Sequence, residues 1–212
     1  MRFRLAKICD LNDIVDIHYN IRETYSIGIF AKLGKPFLRE YYKIVLCDKN
    51  GVIICAEDEY GKIHGFCSAT LNVEEQFENL RKNRLKLGIS AIGSLIRNPS
   101  LIKQLFDRYR SMDKNTNAKI VYVKGARSEF WAWSANSDDS FSSLEMHEVL
   151  LNLLRVLGVV DLFFEVDTNN KKVFLFHKFN GAEVLDKIYL PDGRERALMK
   201  YNLIIRKSRL KI

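Results

Sequence analysis

The sequence predicts a mixed α/β domain, one mixed sheet with helices on both of its faces. Three observations predict it. The elements read as strand, helix, helix, strand, strand, then a helical insert, then strand, helix, strand, helix, strand, strand. Strands outnumber helices at both ends while a strand–helix–strand–helix unit lies near the middle, which suits a mixed sheet and not a doubly wound parallel one. The composition, 47% hydrophobic and 28% charged over 212 residues, is that of a chain able to bury a sizeable core. We therefore read residues 1–212 as a single domain with residues 74–112 as its insert.

Residues 2–7 alternate, with Phe3 and Leu5 on one face, as a first strand does. Asp10 precedes the series Ile14, Ile17, Ile21 and has Asp13 three residues on, the pattern of an N-capped amphipathic helix running to about Thr24. Pro36 suits the first turn of a second helix ending near Cys47. Residues 52–57 and 63–71 read as two strands of a hairpin around residues 58–62. The insert is broken by Asn98-Pro99-Ser100 into two helices. Its apolar side holds Leu85, Ile89, Ile92, Leu95 and Ile96, and this side either packs on the domain or lies on a membrane surface. Beyond it, residues 120–123 read as an extra strand and 129–135 as a strand with large aromatics. Residues 144–157 read as a helix stopped by Gly158 and 161–166 as a buried strand. A short helix over 170–179 ends at Asn180-Gly181, and residues 182–190 and 196–204 form a closing hairpin.

The net charge of +8 is unevenly placed. Residues 80–112 carry eight Lys/Arg against the single acid Asp107, and residues 206–211 carry four more cations, leaving −3 for the rest. A basic insert and tail on a slightly acidic domain are either solvated helix faces or a surface for an anionic partner. Nucleic acid is the least expected such partner, since no RNP, finger or helix-turn-helix pattern is present. Cys9, Cys47, Cys55 and Cys67 lack metal-type spacing, so no metal site is expected. With no apolar run after the basic start, a cytoplasmic chain with reduced thiols is expected.

Three stretches resemble the GNAT acyltransferase superfamily. They are Phe3-Arg-Leu-Ala-Lys-Ile-Cys-Asp-Leu-Asn-Asp-Ile, Ala56-Glu-Asp-Glu-Tyr-Gly-Lys-Ile-His-Gly-Phe and Val166-Asp-Thr-Asn-Asn-Lys-Lys-Val-Phe-Leu-Phe-His-Lys-Phe-Asn-Gly-Ala. The insert, with Phe37-Leu-Arg-Glu-Tyr-Tyr upstream, is similar to a subgroup found in surface-polysaccharide gene clusters. The resemblance implies a GNAT-like acyl-CoA acyltransferase fold with the insert between its third and fourth strands. It implies splayed fourth and fifth strands that admit the pantetheine arm of acetyl-CoA, and a following helix N-terminus that receives pyrophosphate. It implies transfer of an acetyl group to an amine, for which the subgroup suggests an amino sugar, nucleotide- or lipid-linked. Two rivals stand beside it: a non-catalytic binding module that has lost CoA, and an acyltransferase fed by an acyl carrier protein or a long-chain donor.

The phosphate loop departs from the family pattern. Residues 134–148 contain no glycine and no arginine, and Asp138, Asp139, Glu145 and Glu148 would repel pyrophosphate. Either the hydroxyls and amides of Ser140, Ser142 and Ser143 hold phosphate with the acids turned outward, or CoA binding is lost. Trp133, Ser134, Ala135, Asn136, Ser142, Ser143 and Asn170 are the expected donor-binding positions, Asn170 alternatively being a helix cap. His177, seven residues after Asn170, stands where the family commonly has a tyrosine acid, and is otherwise a helix-face histidine. Glu129 is either a base or an exposed strand-end glutamate. Trp131 and Trp133 share a face, as core or as walls of an acyl pocket. Glu23, Tyr25 and Phe30 lie in the loop where such folds receive the acceptor, whereas His18 and His64 are read as structural.

Overall fold

The computed structural model describes residues 1–21, 28–111, 124–134, 137, 139, 141–190 and 193–206. Its elements are β1 (Arg2–Leu5), α1 (Leu11–Asn20), α2 (Ile29–Lys32), α3 (Gly34–Leu46), β2 (Gly51–Glu57), β3 (Ile63–Thr70), α4 (Val73–Lys82), α5 (Arg84–Arg97), α6 (Ser100–Ser111), β4 (Ala126–Trp133), α7 (Phe141–Val156), β5 (Asp161–Asp167), α8 (Lys171–Phe179), β6 (Glu183–Tyr189) and β7 (Glu195–Asn202). One sheet has the order β1-β2-β3-β4-β5-β7-β6. Every neighbouring pair is antiparallel except β4–β5, which the α7 crossover makes parallel.

Each face of the sheet has its own core. Met146, Leu150, Leu151 and Leu154 of α7 pack against Val52, Ile54, Leu162 and Phe164. Ile14 of α1 and Leu38, Tyr42 and Val45 of α3 pack against Ile53, Cys55 and Phe66. Consecutive residues of β2 thus serve opposite cores, which is why residues 52–56 read as an unbroken apolar run. Cys55 and Cys67 are buried free thiols belonging to different faces.

Several local expectations are corrected. Leu5 is exposed and does not share Phe3's packing. Asp10 makes no side-chain cap on α1. Its carboxylate takes the Lys7 N–H at 2.7 Å and the Arg4 guanidinium at 2.7 and 3.0 Å, because Arg4 also reaches Glu57 and draws both acids to itself. The insert has three helices and not two, since Asn83 interrupts it by donating from Nδ2 to the Asn79 carbonyl and side chain. The insert packs through Ala91 and Leu101, with Leu87 and Leu95 beside Ala91, and turns Leu85, Ile89, Ile92 and Ile96 outward. β4 starts three residues earlier than expected, so Glu129 is mid-strand. The strand expected over 120–123 lies outside the described residues.

Gly65 carries the entry to the site. It pairs with Trp133, and a Cβ there would stand 2.2 Å from Trp133 Cε3 and 2.9 Å from the Ala132 carbonyl. Gly65→Ala is expected to displace the indole and cost about 1–3 kcal/mol by overpacking. Urea unfolding followed by tryptophan fluorescence measures it, and an unshifted midpoint contradicts the packing described.

Candidate active site

The centre of the sheet opens between β4 and β5. The two strands pair only at Ala126–Leu162 and Arg127–Phe163. Beyond Arg127 their ladder stops, although β4 continues to Trp133 and β5 to Asp167. On its other side β4 stays paired with β3 up to Trp133–Gly65. A half-buried strand edge without a ladder leaves N–H and C=O groups for another partner, and an extended amide-bearing arm supplies that pattern.

A bulge decides which side chains face each way. Cys67 pairs with Trp131 and Ala69 with Ser128, so Glu129 and Phe130 together oppose Ser68. Ser68 Oγ accepts from the Phe130 N–H at 3.2 Å. Strict alternation would send Glu129 and Phe130 to opposite faces. The extra residue instead brings both to the α3 side. There the Glu129 carboxylate accepts from Tyr41 Oη and from Gln76 Nε2, each at 3.2 Å. Gln76 Oε1 is buried with no partner among the described residues. Burial pushes the Glu129 carboxyl up, against the opposing pull of Gln76, Arg127 and Tyr41. A carboxylate raised toward working pH and beside a spare acceptor oxygen suits the receipt of a proton from an amine.

Arg127 extends this polar patch across the opening. Its guanidinium meets Glu165 of β5 at 2.7 Å, and Arg196 of β7 takes the other Glu165 oxygen at 3.1 Å. Burial raises the Glu165 carboxyl, but Arg127 and Arg196 more than reverse this and hold it below its ordinary range. Phe30 lies against Tyr41 and Phe130, with ring centroids 5.0 and 5.7 Å apart, so it borders the Glu129 group. Glu23 and Tyr25 lie outside the described residues.

The opposite side of the opening is aromatic. Trp131 stacks on His147 at 4.5 Å and lies 5.3 Å from Phe176 and 5.8 Å from His177. His177 in turn lies 4.5 Å from Phe164 on β5, so the rings reach from β4 to β5 beneath the opening. His177 Nδ1 lies 2.9 Å from Tyr201 Oη, and the residue is buried in the last turn of α8. Burial, with His147 and Arg206 nearby, holds its imidazole well below the ordinary value. A neutral, enclosed imidazole has no readily given proton, so this placement lends an acid role no support. Asn170 caps α8, its Oδ1 accepting from the Val173 N–H at 3.4 Å. His18 and His64 bond Tyr42 and Asp58, consistent with structural roles.

The α7 N-terminus is already engaged. The Asp139 carboxylate accepts from the Ser142 N–H at 3.0 Å and from Ser142 Oγ at 2.5 Å. These bonds hold the Asp139 carboxyl below its usual range. Ser143 Oγ accepts from Trp131 Nε1 at 3.0 Å. Of the expected outward-turned acids, Asp139 therefore faces the helix and Glu148 is buried against Arg206. Trp133 and Ser134 continue along the β3 edge, where the Ser134 N–H donates to the His64 carbonyl at 2.8 Å. Ala135, Asn136, Asp138 and Ser140 lie outside the described residues.

No family model and no curated protein matches this chain. Solved structures do match along nearly its whole length. A structure described as a putative phosphinothricin N-acetyltransferase gives a TM-score of 0.60 at 15% identity, covering 95% of this chain and 98% of its own. The ribosomal-protein-alanine N-acetyltransferase from Brucella melitensis gives 0.59 at 12%, covering 95% and 99%. An N-acetyltransferase from Staphylococcus aureus Mu50 gives 0.59 at 14%, covering 95% and 98%. The chain has the GNAT acetyltransferase fold.

The ladder break after Arg127 agrees with the parted fourth and fifth strands that the resemblance implies. The α7 start does not fit pyrophosphate while Asp139 holds it, because a second anion would meet a carboxylate where it needs free N–H groups. Sequence reasoning missed Tyr41, Gln76, Arg127, Glu165 and Arg196. Alternation along β4 flags Arg127 and Glu129 as one polar pair, but nothing local points to α3 or α4.

Proposed function

We propose that this chain is an acyltransferase that moves an acyl group from a thioester to an amine, with acetyl-CoA as the donor to test first. The ladder break between β4 and β5 carries the proposal. The thioester would supply the activated acyl group, its C–S bond breaking as the C–N bond to the amine forms and its thiolate leaving to take a proton from solvent. The chain's own part is to align an extended arm along β4 and to take the amine proton on Glu129. Tyr41 and Gln76 hold that carboxylate in place. For the acceptor we propose an amino sugar of a surface polysaccharide, nucleotide- or lipid-linked, for which the cations of residues 80–112 supply a counter-charge. Trp131 and Trp133 would wall the acyl group, and Phe30 and Tyr41 would border the acceptor.

A second reading is favoured by one observation, the Asp139 cap. A donor whose arm hangs from a carrier protein needs no pyrophosphate site at α7. Thermal-shift titrations with acetyl-CoA, CoA and an acylated carrier protein separate the readings. Stabilisation by acetyl-CoA supports the first, and a response to the carrier alone supports the second. Silence toward all three overturns both and leaves a non-catalytic module. Asp139→Ala is expected to cost about 1 kcal/mol of stability as a lost cap, while raising CoA affinity by freeing the Ser142 N–H. Unchanged CoA affinity in that variant removes the α7 start from donor binding.

A further inference from the structure

Among the described residues the outward side of α5 packs against no other element. Leu85, Ile89, Ile92 and Ile96 recur at intervals of four, three and four, one stripe along the helix. They are 75%, 69%, 48% and 74% exposed. The helix is anchored by its other side, through Ala91. Four large aliphatic side chains in one exposed row are not the scattered apolar residues of an ordinary surface.

The charges that α5 itself carries are of one sign. α5 contains Arg84, Lys86 and Arg97 and no acid. Arg81 and Lys82 close α4 immediately before it, Arg81 meeting Glu78 loosely at 3.9 Å. At the corner between the two helices, Arg81, Lys82, Arg84 and Leu85 line an open notch. A second copy of this chain would set these cations against their equals, which disfavours self-association through the stripe. An anionic bilayer answers both features at once, taking the aliphatic row into the acyl boundary and the cations against headgroup phosphates.

We propose that α5 docks this protein on anionic phospholipid surfaces, lying in the plane of the interface with a headgroup phosphate in the Arg81–Lys82–Arg84 notch. Among the described residues no helix is long and apolar enough to cross a membrane, so the contact is peripheral. The inference goes beyond the acyl-transfer reading and does not rest on it.

Flotation of the full chain with vesicles tests it. Binding is expected to mixed phosphatidylglycerol–phosphatidylcholine vesicles and not to phosphatidylcholine alone, and it falls as salt rises. Ile89→Glu/Ile96→Glu is expected to weaken it at least about tenfold with an unchanged melting temperature, since both side chains are exposed. Arg84→Gln/Lys86→Gln keeps the stripe and is expected to lose about fivefold per charge. Equal binding to both vesicle types, full binding by Ile89→Glu/Ile96→Glu, or a dimer that this variant disrupts without vesicle binding each overturns the proposal.

Discussion

Lowering the pH from about 7.5 to about 5.5 is expected to remove about 3 kcal/mol of folding stability through His18 and His147, and His177 adds to the loss in the same direction. His18, His147 and His177 are all buried. Burial pulls His18 down to about 4 and His147, with Arg206 nearby, to about 3, while His177 falls well below its ordinary value. The unfolded chain takes up protons at all three as the pH drops through about 6.5, and the folded chain does not. Their contribution is therefore fully present above that pH and is lost on acidification toward the folded values. Native domains hold about 5–15 kcal/mol, so the loss is a sizeable fraction of the total. His147→Phe keeps a ring on Trp131 and is expected to shrink the drop by about 1.4 kcal/mol. Urea midpoints at both pH values measure it, and a flat profile shows that the histidines are not enclosed as described.

Glu129→Gln is expected to lower turnover by about 10²–10⁴-fold, the usual contribution of a positioned base. The same variant is expected to be as stable as the parent at neutral pH, or more so. Burial raises the folded Glu129 carboxyl above its unfolded value. Its stabilising contribution is therefore present only in acid, and is lost as pH rises through the folded value. A glutamine keeps the acceptor for Tyr41 and carries no charge to desolvate, and the unpaired Gln76 Oε1 gains a donor. Loss of activity with gain of stability marks a group held for chemistry. The rising limb of kcat/KM against pH, set by the parent carboxylate, disappears in the variant. Full turnover in the variant removes Glu129 from the reaction.

The elements were legible where local chemistry is unambiguous. An unbroken apolar run marks β2, Pro36 marks the first turn of α3, and Gly158 and Gly181 close α7 and α8 with φ of 87° and 89°. The site was legible only in part. Glu129 stands out by type and strand, but its partners lie on α3 and α4, 88 and 53 residues away in sequence. Asp139 was visible as a charge, yet its direction depends on the α7 start that it caps. Counting from Asn170 locates His177, but Tyr201, 24 residues later, closes over it.

The sequence by itself determined the order of β1 to β7 and of α1, α3, α7 and α8 among them, the charge division between insert and remainder, and the aliphatic row on α5. These are properties of neighbours along the chain, which obey periods of two and 3.6 residues. Tertiary structure alone decided that β4 and β5 part after Arg127, that a bulge turns Glu129 beneath Tyr41, and which side of α5 meets the domain. Register and packing are set by groups brought together across the fold, and no local period encodes which strand edge stays without a neighbour.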